Sequence, residues 1–279
     1  MATNVQYDVD VQDVEYQRLD GKPWLTRIYR PKGPGPFPAI IDVHGGAWVR
    51  GDRGNNKGVC QALAERGVVV AALDFRQPPA DAGYPASLQD VNLGIRWLKA
   101  HAKEFNGSDR IGAWGNSSGG HLVALSAIRP RDPRYATLPL PGHSELDASL
   151  AYVIAGWPVI DPLYRYQKVA VATNNQSFLS AHHAYWGTEE AMAEGSATNA
   201  VASDPSPSLP PILLVLKEGD PNHPLAMEQA FAEAYKQRGG SIRVEMFDGL
   251  PEHGMEITPE VPESVRAIDM FRDFIAAHA

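Results

Sequence analysis

Short apolar runs alternate along the chain with longer helical patterns, and most glycines and prolines fall between them. Near the start, residues 14–19 and 24–29 alternate apolar and polar side chains on either side of an Asp-Gly pair, which predicts an antiparallel hairpin. Most later runs are predominantly apolar, as is typical of strands buried on both faces. These predicted strands cover residues 37–43, 68–75, 111–114, 150–160, 211–216 and 242–247.

Helical patterns separate the predicted strands. Ser87-Leu88-Gln89-Asp90 has the form of a capping box, and the apolar positions after it, from Leu88 to Phe105, are spaced three and four residues apart. Further helices are predicted over residues 55–66, 118–127, 225–238 and 262–277. Strands joined by helices favour a mostly parallel sheet with helices on both faces. We therefore expect an α/β fold with eight strands and the hairpin at one edge.

The alternation breaks between about residues 161 and 209, where aromatic side chains are scattered among polar tracts. Long irregular stretches within compact domains often form lids or binding loops. The sequence thus predicts one domain over residues 1–279, with a cap insertion at about 161–209.

Composition narrows the classes of protein. The 279 residues include 25 Lys plus Arg and 33 Asp plus Glu, a net charge of −8, which argues against nucleic acid as a partner. Cys60 is the single cysteine, which excludes an internal disulfide and a multi-cysteine metal site. No apolar run reaches the ~18 residues of a membrane span, and no signal peptide is visible. We expect a soluble, cytoplasmic protein, for which a homodimer is compatible with the sequence.

Gly115-Asn116-Ser117-Ser118-Gly119 is a G-x-S-x-G motif between a predicted strand and a predicted helix. That context is typical of a nucleophile elbow, in which a strained turn lifts the serine hydroxyl above the sheet. The alternative is a glycine-rich turn with an incidental serine. The strand-turn-helix setting favours Ser117 as a nucleophile.

A second motif, His44-Gly45-Gly46-Ala47-Trp48, follows the predicted strand at 37–43. Acyl transfer needs N–H donors directed at the oxyanion of a tetrahedral intermediate, and small residues let backbone N–H groups approach a ligand. We expect the N–H groups of Gly46, Ala47 and Ser118 to form an oxyanion hole, with Gly45 shaping the loop. A tight turn with Trp48 in the core would explain this motif alone, but not both motifs together.

With these motifs the chain resembles the α/β-hydrolase family, and within it the hormone-sensitive-lipase-like and feruloyl-esterase-like bacterial carboxylesterases. The resemblance extends from about residue 14 to 278 and includes Asp74-Phe75-Arg76, Tyr84-Pro85-Ala86 and Gly120-His121. Many relatives have a third glycine where Ala47 stands, and the H-G-G-x-W form is also similar to that of kynurenine formamidases. The resemblance implies a carboxylesterase, with an aryl amide or formamide hydrolase as the alternative.

A serine nucleophile needs a base, and nine histidines are candidates. His253 follows the last predicted strand, and sites in parallel sheets assemble at the carboxyl ends of strands, so we predict His253 as the base. His223 is its rival. Asp220, after the strand at 211–216, is the predicted acid, and it gives the chain order Ser, Asp, His of this fold. Glu218 and Asp161 are the alternative acids.

The predicted reaction needs neither a metal nor an organic cofactor, and its substrate is a small-molecule ester. Four aromatic residues are predicted to line the acyl or alcohol pocket: Trp48, Trp157, Tyr185 and Trp186. A binding protein on an inactive hydrolase scaffold is a third hypothesis. Such proteins typically lack the histidine, whereas this chain retains serine, aspartate and histidine together.

Overall fold

A computed structural model describes residues 6–250, 255, 257–258 and 260–279. Eight strands form one sheet in the order β1-β2-β4-β3-β5-β6-β7-β8. Pairing is antiparallel between β1 and β2 and between β2 and β4, and parallel elsewhere. This confirms the predicted mostly parallel sheet with an antiparallel N-terminal hairpin at one edge. The strands are β1 Val9–Leu19, β2 Lys22–Pro31, β3 Phe37–Val43, β4 Val69–Leu73, β5 Gly107–Asn116, β6 Val153–Gly156, β7 Ile212–Lys217 and β8 Ile242–Phe247.

Helices cover both faces of this sheet. Successive residues of β3 point to opposite faces of the sheet. Ile41 packs into the core under α2 and α3, and Ile40 packs into the core under α1 and α9. Both side chains are fully buried, which explains why apolar residues occupy successive positions of this strand. The helices are α1 Lys57–Glu65, α2 Ala86–His101, α3 Ser118–Ile128, α4 Pro162–Arg165, α5 Gln176–Trp186, α6 Glu189–Glu194, α7 Ala197–Ser203, α8 Leu225–Gln237 and α9 Pro262–His278.

The start of α2 differs from the predicted capping box. The N-cap residue is Pro85, and Ser87 lies inside the first turn, where its Oγ donates to the carbonyl of Arg76 at 2.7 Å. Asp90 is fully buried and accepts hydrogen bonds from the backbone N–H and guanidinium of Arg76 and from Gln17. The polar side chains of this segment therefore fix the loop after β4 instead of closing the helix end.

The segment predicted as irregular, at about 161–209, contains the four helices α4 to α7. Each is short, from 4 to 11 residues, so an apolar period of 3.6 has little length in which to show. Each begins at a side-chain N-cap, the strongest local signal for a short helix. The caps are Asp161, Asn175, Thr188 and Ser196. The strand predicted at 150–160 is reduced to the four residues of β6.

Candidate active site

Ser117 occupies the turn between β5 and α3. Its φ of 51° and ψ of −124° lie in a region that side-chain-bearing residues rarely adopt, and such strain is typical of functional positions. A Cβ on Gly119 would lie 2.0 Å from the Val43 carbonyl oxygen, so only glycine lets α3 approach β3 this closely. The backbone of Ser117 is fixed by its N–H donating to Gly156 and its carbonyl accepting from Val159. The turn thus presents the hydroxyl above the carboxyl ends of the strands.

His223, on the loop between β7 and α8, is the histidine that the described structure brings to this serine. Its Nε2 lies 3.4 Å from Ser117 Oγ, and its Nδ1 lies 2.9 Å from Asp220 Oδ2. Asp220 also accepts from the backbone N–H of Asn222 at 2.8 Å. With Nδ1–H donating to the carboxylate, Nε2 is left as the acceptor that faces the serine hydroxyl.

Burial and hydrogen bonding together determine the pKa values of His223 and Asp220. Burial holds the pKa of His223 below its ordinary value, although the hydrogen bond to Asp220 partly opposes the shift. For Asp220, burial acts to raise the pKa, but the hydrogen bonds from His223 and Asn222 outweigh it and the pKa lies below the usual value. At neutral pH the imidazole is therefore neutral and the carboxylate charged, as general-base catalysis requires.

The sequence-predicted base, His253, lies outside the described residues, so its assignment stays a prediction. The place beside Ser117 Oγ is taken by His223, which the sequence argument ranked behind it. The two alternative acids lie elsewhere: Asp161 caps α4 by accepting from the N–H of Tyr164, and Glu218 is exposed. Of the three acids considered, Asp220 is the one in contact with a histidine at the serine.

The predicted oxyanion loop faces Ser117 across the same cavity. Gly46 has φ of +128°, and a Cβ there would lie 1.8 Å from the Arg50 carbonyl oxygen, so this position requires glycine. The N–H of Gly45 donates to Asn116 Oδ1 at 3.1 Å, which fits a shaping role. Among the described residues, the loop N–H groups of Gly46 and Ala47 have no hydrogen-bond acceptor, and that of Ser118, the first residue of α3, has none outside the helix.

Buried polar side chains that are hydrogen-bonded to one another support the oxyanion loop, and they were not predicted from the sequence. Asn116 Oδ1 accepts from Asn56 Nδ2 at 3.0 Å, and the same Nδ2 donates to Asp42 Oδ1 at 2.8 Å. Asp42 is 1% exposed in the middle of β3, and burial raises its pKa to about 7. A charged residue inside an otherwise apolar strand was the signal available, since such a residue needs polar partners.

The cavity at Ser117 has a volume of about 800 Å³, which is in the range of small-molecule sites. Its wall includes His223 and the oxyanion loop, Trp157 from the end of β6, and Arg165 and Phe178 from the segment that contains α4 and α5. Trp157 is one of the four aromatic residues that the sequence predicted for the pocket, and its role in substrate binding stays a prediction.

The other three predicted pocket aromatics line no part of this cavity and belong to the core behind the oxyanion loop. Trp48 stacks on Tyr185 with ring centroids 5.5 Å apart and meets Trp186 edge-on at 5.4 Å. Its Nε1 donates to His121, whose ring is in turn held by the carbonyl of Gly195. The positive φ of 64° at Trp48 turns its side chain away from the cavity and into this cluster. These residues join α3, α5 and the oxyanion loop into one packed unit.

Comparison with known proteins agrees with the sheet topology and the strained serine turn, which together define the α/β-hydrolase fold. The family model BD-FAE matches residues 27–235, well over half of the chain. The chain belongs to the BD-FAE family. A hyperthermophilic esterase from the archaeon Pyrobaculum calidifontis has the same fold, with a TM-score of 0.76 at 24% identity over 98% of this chain and 88% of that one.

Two curated relatives illustrate the range of similarity. The probable carboxylic ester hydrolase LipM of Mycobacterium tuberculosis is 35% identical over 46% of this chain, which spans only 29% of LipM. The versiconal hemiacetal acetate esterase of Dothistroma septosporum is 28% identical over 95% of this chain and 79% of its own length. Of the helices in the described part of the chain, none has the length and apolar character that crossing a bilayer requires.

Proposed function

We propose that this protein is a serine carboxylesterase that hydrolyses small or aryl esters through an acyl-enzyme intermediate. The observation that carries the proposal is the sequence of contacts from Ser117 Oγ to His223 and from His223 to Asp220, at the wall of a cavity of about 800 Å³. The names of the curated relatives, which are esterases and carboxylic ester hydrolases, support the same activity.

In the first half of the reaction, Ser117 Oγ attacks the ester carbonyl carbon while His223 Nε2 takes the hydroxyl proton. The carbonyl oxygen becomes an oxyanion, which the N–H groups of Gly46, Ala47 and Ser118 stabilise. The bond from carbon to the leaving oxygen then breaks, and the imidazolium gives its proton to the departing alcohol. In the second half, His223 takes a proton from water, the resulting hydroxide attacks the acyl-serine, and the acid leaves as Ser117 regains its proton.

Asp220 orients the imidazole and stabilises it while it is charged. His253 remains the alternative base, supported by its position after β8 and by the family resemblance. In the described arrangement the Ser117 hydroxyl and the Asp220 carboxylate both contact His223, which supports His223 as the base.

The helical segment of residues 162–203 is proposed as a cap on a single domain, because it supplies Arg165 and Phe178 to the cavity wall. A cytoplasmic location and a homodimer stay predictions of the sequence.

The proposal is tested with matched substrates, p-nitrophenyl butyrate and the corresponding butyryl p-nitroanilide. We expect ester turnover to exceed anilide turnover and Ser117→Ala to lose activity on the ester by several orders of magnitude, with folding retained. Anilide turnover equal to or above ester turnover would instead assign the protein to the amide hydrolases. The comparisons do not favour that alternative.

A further inference from the structure

Arg165, the last residue of α4, is a buried cation in the wall of the candidate active site. Its side chain is 1% exposed, yet it lines the same cavity as Ser117 and His223. Charged side chains are rarely buried in this way unless they are paired. The identity of its partner therefore bears on what the cavity binds.

The described residues supply no anion to this guanidinium. Among the described residues, Nε and Nη2 of Arg165 are buried without a hydrogen-bond acceptor, and no carboxylate forms an ion pair with it. Its contacts are with aromatic rings: the guanidinium carbon lies 4.4 Å from the ring centroid of Phe178 and 5.2 Å from that of Trp48. An aromatic ring attracts the cation through its quadrupole, but the N–H donors of the guanidinium still need hydrogen-bond acceptors.

Neighbouring charged groups also act on the guanidinium of Arg165. Arg50, which also lines the cavity, acts against the charge of Arg165, and Asp220 acts in its favour. Burial is the largest influence and lowers the pKa of Arg165 to about 9, so the group is still charged at neutral pH. Asp220 is committed to His223 and Asn222 by hydrogen bonds. Two arginines thus line the cavity that contains Ser117, and among the described residues neither forms an ion pair with a carboxylate.

We propose that Arg165 binds a carboxylate of the substrate, so that the preferred substrates are esters that carry a carboxylate in their acyl or alcohol part. The inference rests on the proposed esterase function and names the substrate class of the same site. The guanidinium packs against Phe178 and Trp48, and a planar guanidinium with N–H donors lacking acceptors suits a two-point contact with a planar carboxylate. The aromatic contacts fix the orientation, and the empty donors supply the specificity.

The test compares a neutral ester with two carboxylate esters, in wild type and two variants. The neutral ester is p-nitrophenyl butyrate. In p-nitrophenyl hemisuccinate the charge is in the acyl part, and in 4-carboxyphenyl butyrate it is in the alcohol part. Arg165→Met removes the buried cation, and Arg50→Met is the matched control because it removes an exposed cation from the same cavity.

For at least one carboxylate ester, we expect Arg165→Met to lower the ratio of its kcat/KM to the kcat/KM of p-nitrophenyl butyrate by tenfold or more. The loss should come mainly from a higher KM for the carboxylate ester. A decrease of this size is expected for losing a hydrogen bond to a charged group. Arg50→Met should change the same ratio less than threefold. A ratio that Arg165→Met leaves within twofold of wild type for both carboxylate esters would overturn the inference.

Wild-type protein alone provides a second measurement, in case Arg165→Met does not fold. Succinate should inhibit hydrolysis of p-nitrophenyl butyrate at least tenfold more strongly than butyrate does, and equal inhibition constants would overturn the inference. Failure of the esterase proposal has a different signature, because wild type would then hydrolyse none of the three esters.

Discussion

The buried carboxyl of Asp42 allows a quantitative test of the polar chain beneath the oxyanion loop. Asp42 Oδ1 accepts from Asn56, whereas Oδ2 is buried without a hydrogen-bond partner among the described residues. Asp42→Asn keeps the acceptor and removes the titration. The comparison of the two proteins over a range of pH therefore isolates the ionisation of one side chain.

The magnitude follows from the pKa of Asp42, which burial raises from 3.8 to about 7. As pH rises, the unfolded chain releases this proton first, so stability is fully present below pH 4 and is lost progressively up to about pH 7. At about 1.4 kcal/mol per pKa unit, the total loss is about 4 kcal/mol, of which about 3 kcal/mol falls between pH 5 and 8.5. The variant has no such loss.

Urea unfolding followed by tryptophan fluorescence at pH 5 and pH 8.5 gives the free energies. The unfolding free energy of Asp42→Asn minus that of wild type should be about 3 kcal/mol larger at pH 8.5 than at pH 5. Asp8→Asn, which changes an exposed carboxylate, is the control and should show no such growth. A difference for Asp42→Asn that is constant or shrinks as pH rises would refute the assigned burial of a protonated carboxyl.

Four further predictions concern the site and its support. His223→Ala should lower kcat by about 10³-fold, as expected for loss of a general base, with His253→Ala retaining at least a tenth of wild-type activity; the reverse pattern assigns the base to His253. The acidic limb of the profile of kcat/KM against pH should have its midpoint below pH 6.5, because burial lowers the pKa of His223, and a midpoint above 7 contradicts this. Asn56→Ala should lower kcat/KM by about tenfold by loosening the oxyanion loop, and unchanged kinetics would show that the loop holds its shape unaided. Asp90→Ala should destabilise the protein by about 3 kcal/mol in urea unfolding, since it removes the buried carboxylate that accepts hydrogen bonds from Arg76 and Gln17, and a loss below 1 kcal/mol would count against the importance of these bonds.

Long buried strands and the serine turn could be predicted from the sequence because their signals are local. The apolar run at 37–43 coincides with β3, and the G-x-S-x-G pattern places Ser117 between β5 and α3 as observed. The helices α4, α6 and α7 could not be predicted from apolar periodicity, since each has too few turns to repeat a pattern. Their capping residues were readable, but caps alone do not distinguish a short helix from a turn.

Contacts that depend on the conformation of a loop could not be predicted from local sequence patterns. His223 lies three residues from Asp220, and only the path of the loop between β7 and α8 turns its ring onto the serine hydroxyl. Trp48 was expected at the pocket because it follows the oxyanion glycines, but its positive φ directs it into the core. Arg165 gave no signal, because its importance comes from burial without an acceptor, which is a property of the folded chain.

The central claim is that Ser117 is an activated nucleophile in an open active site. It is tested most directly by treating the protein with a fluorophosphonate and locating the adduct by mass spectrometry. We expect one adduct per chain, on Ser117, and none on folded Ser117→Ala protein. No adduct on the wild type, or equal labelling of Ser117→Ala, would contradict it.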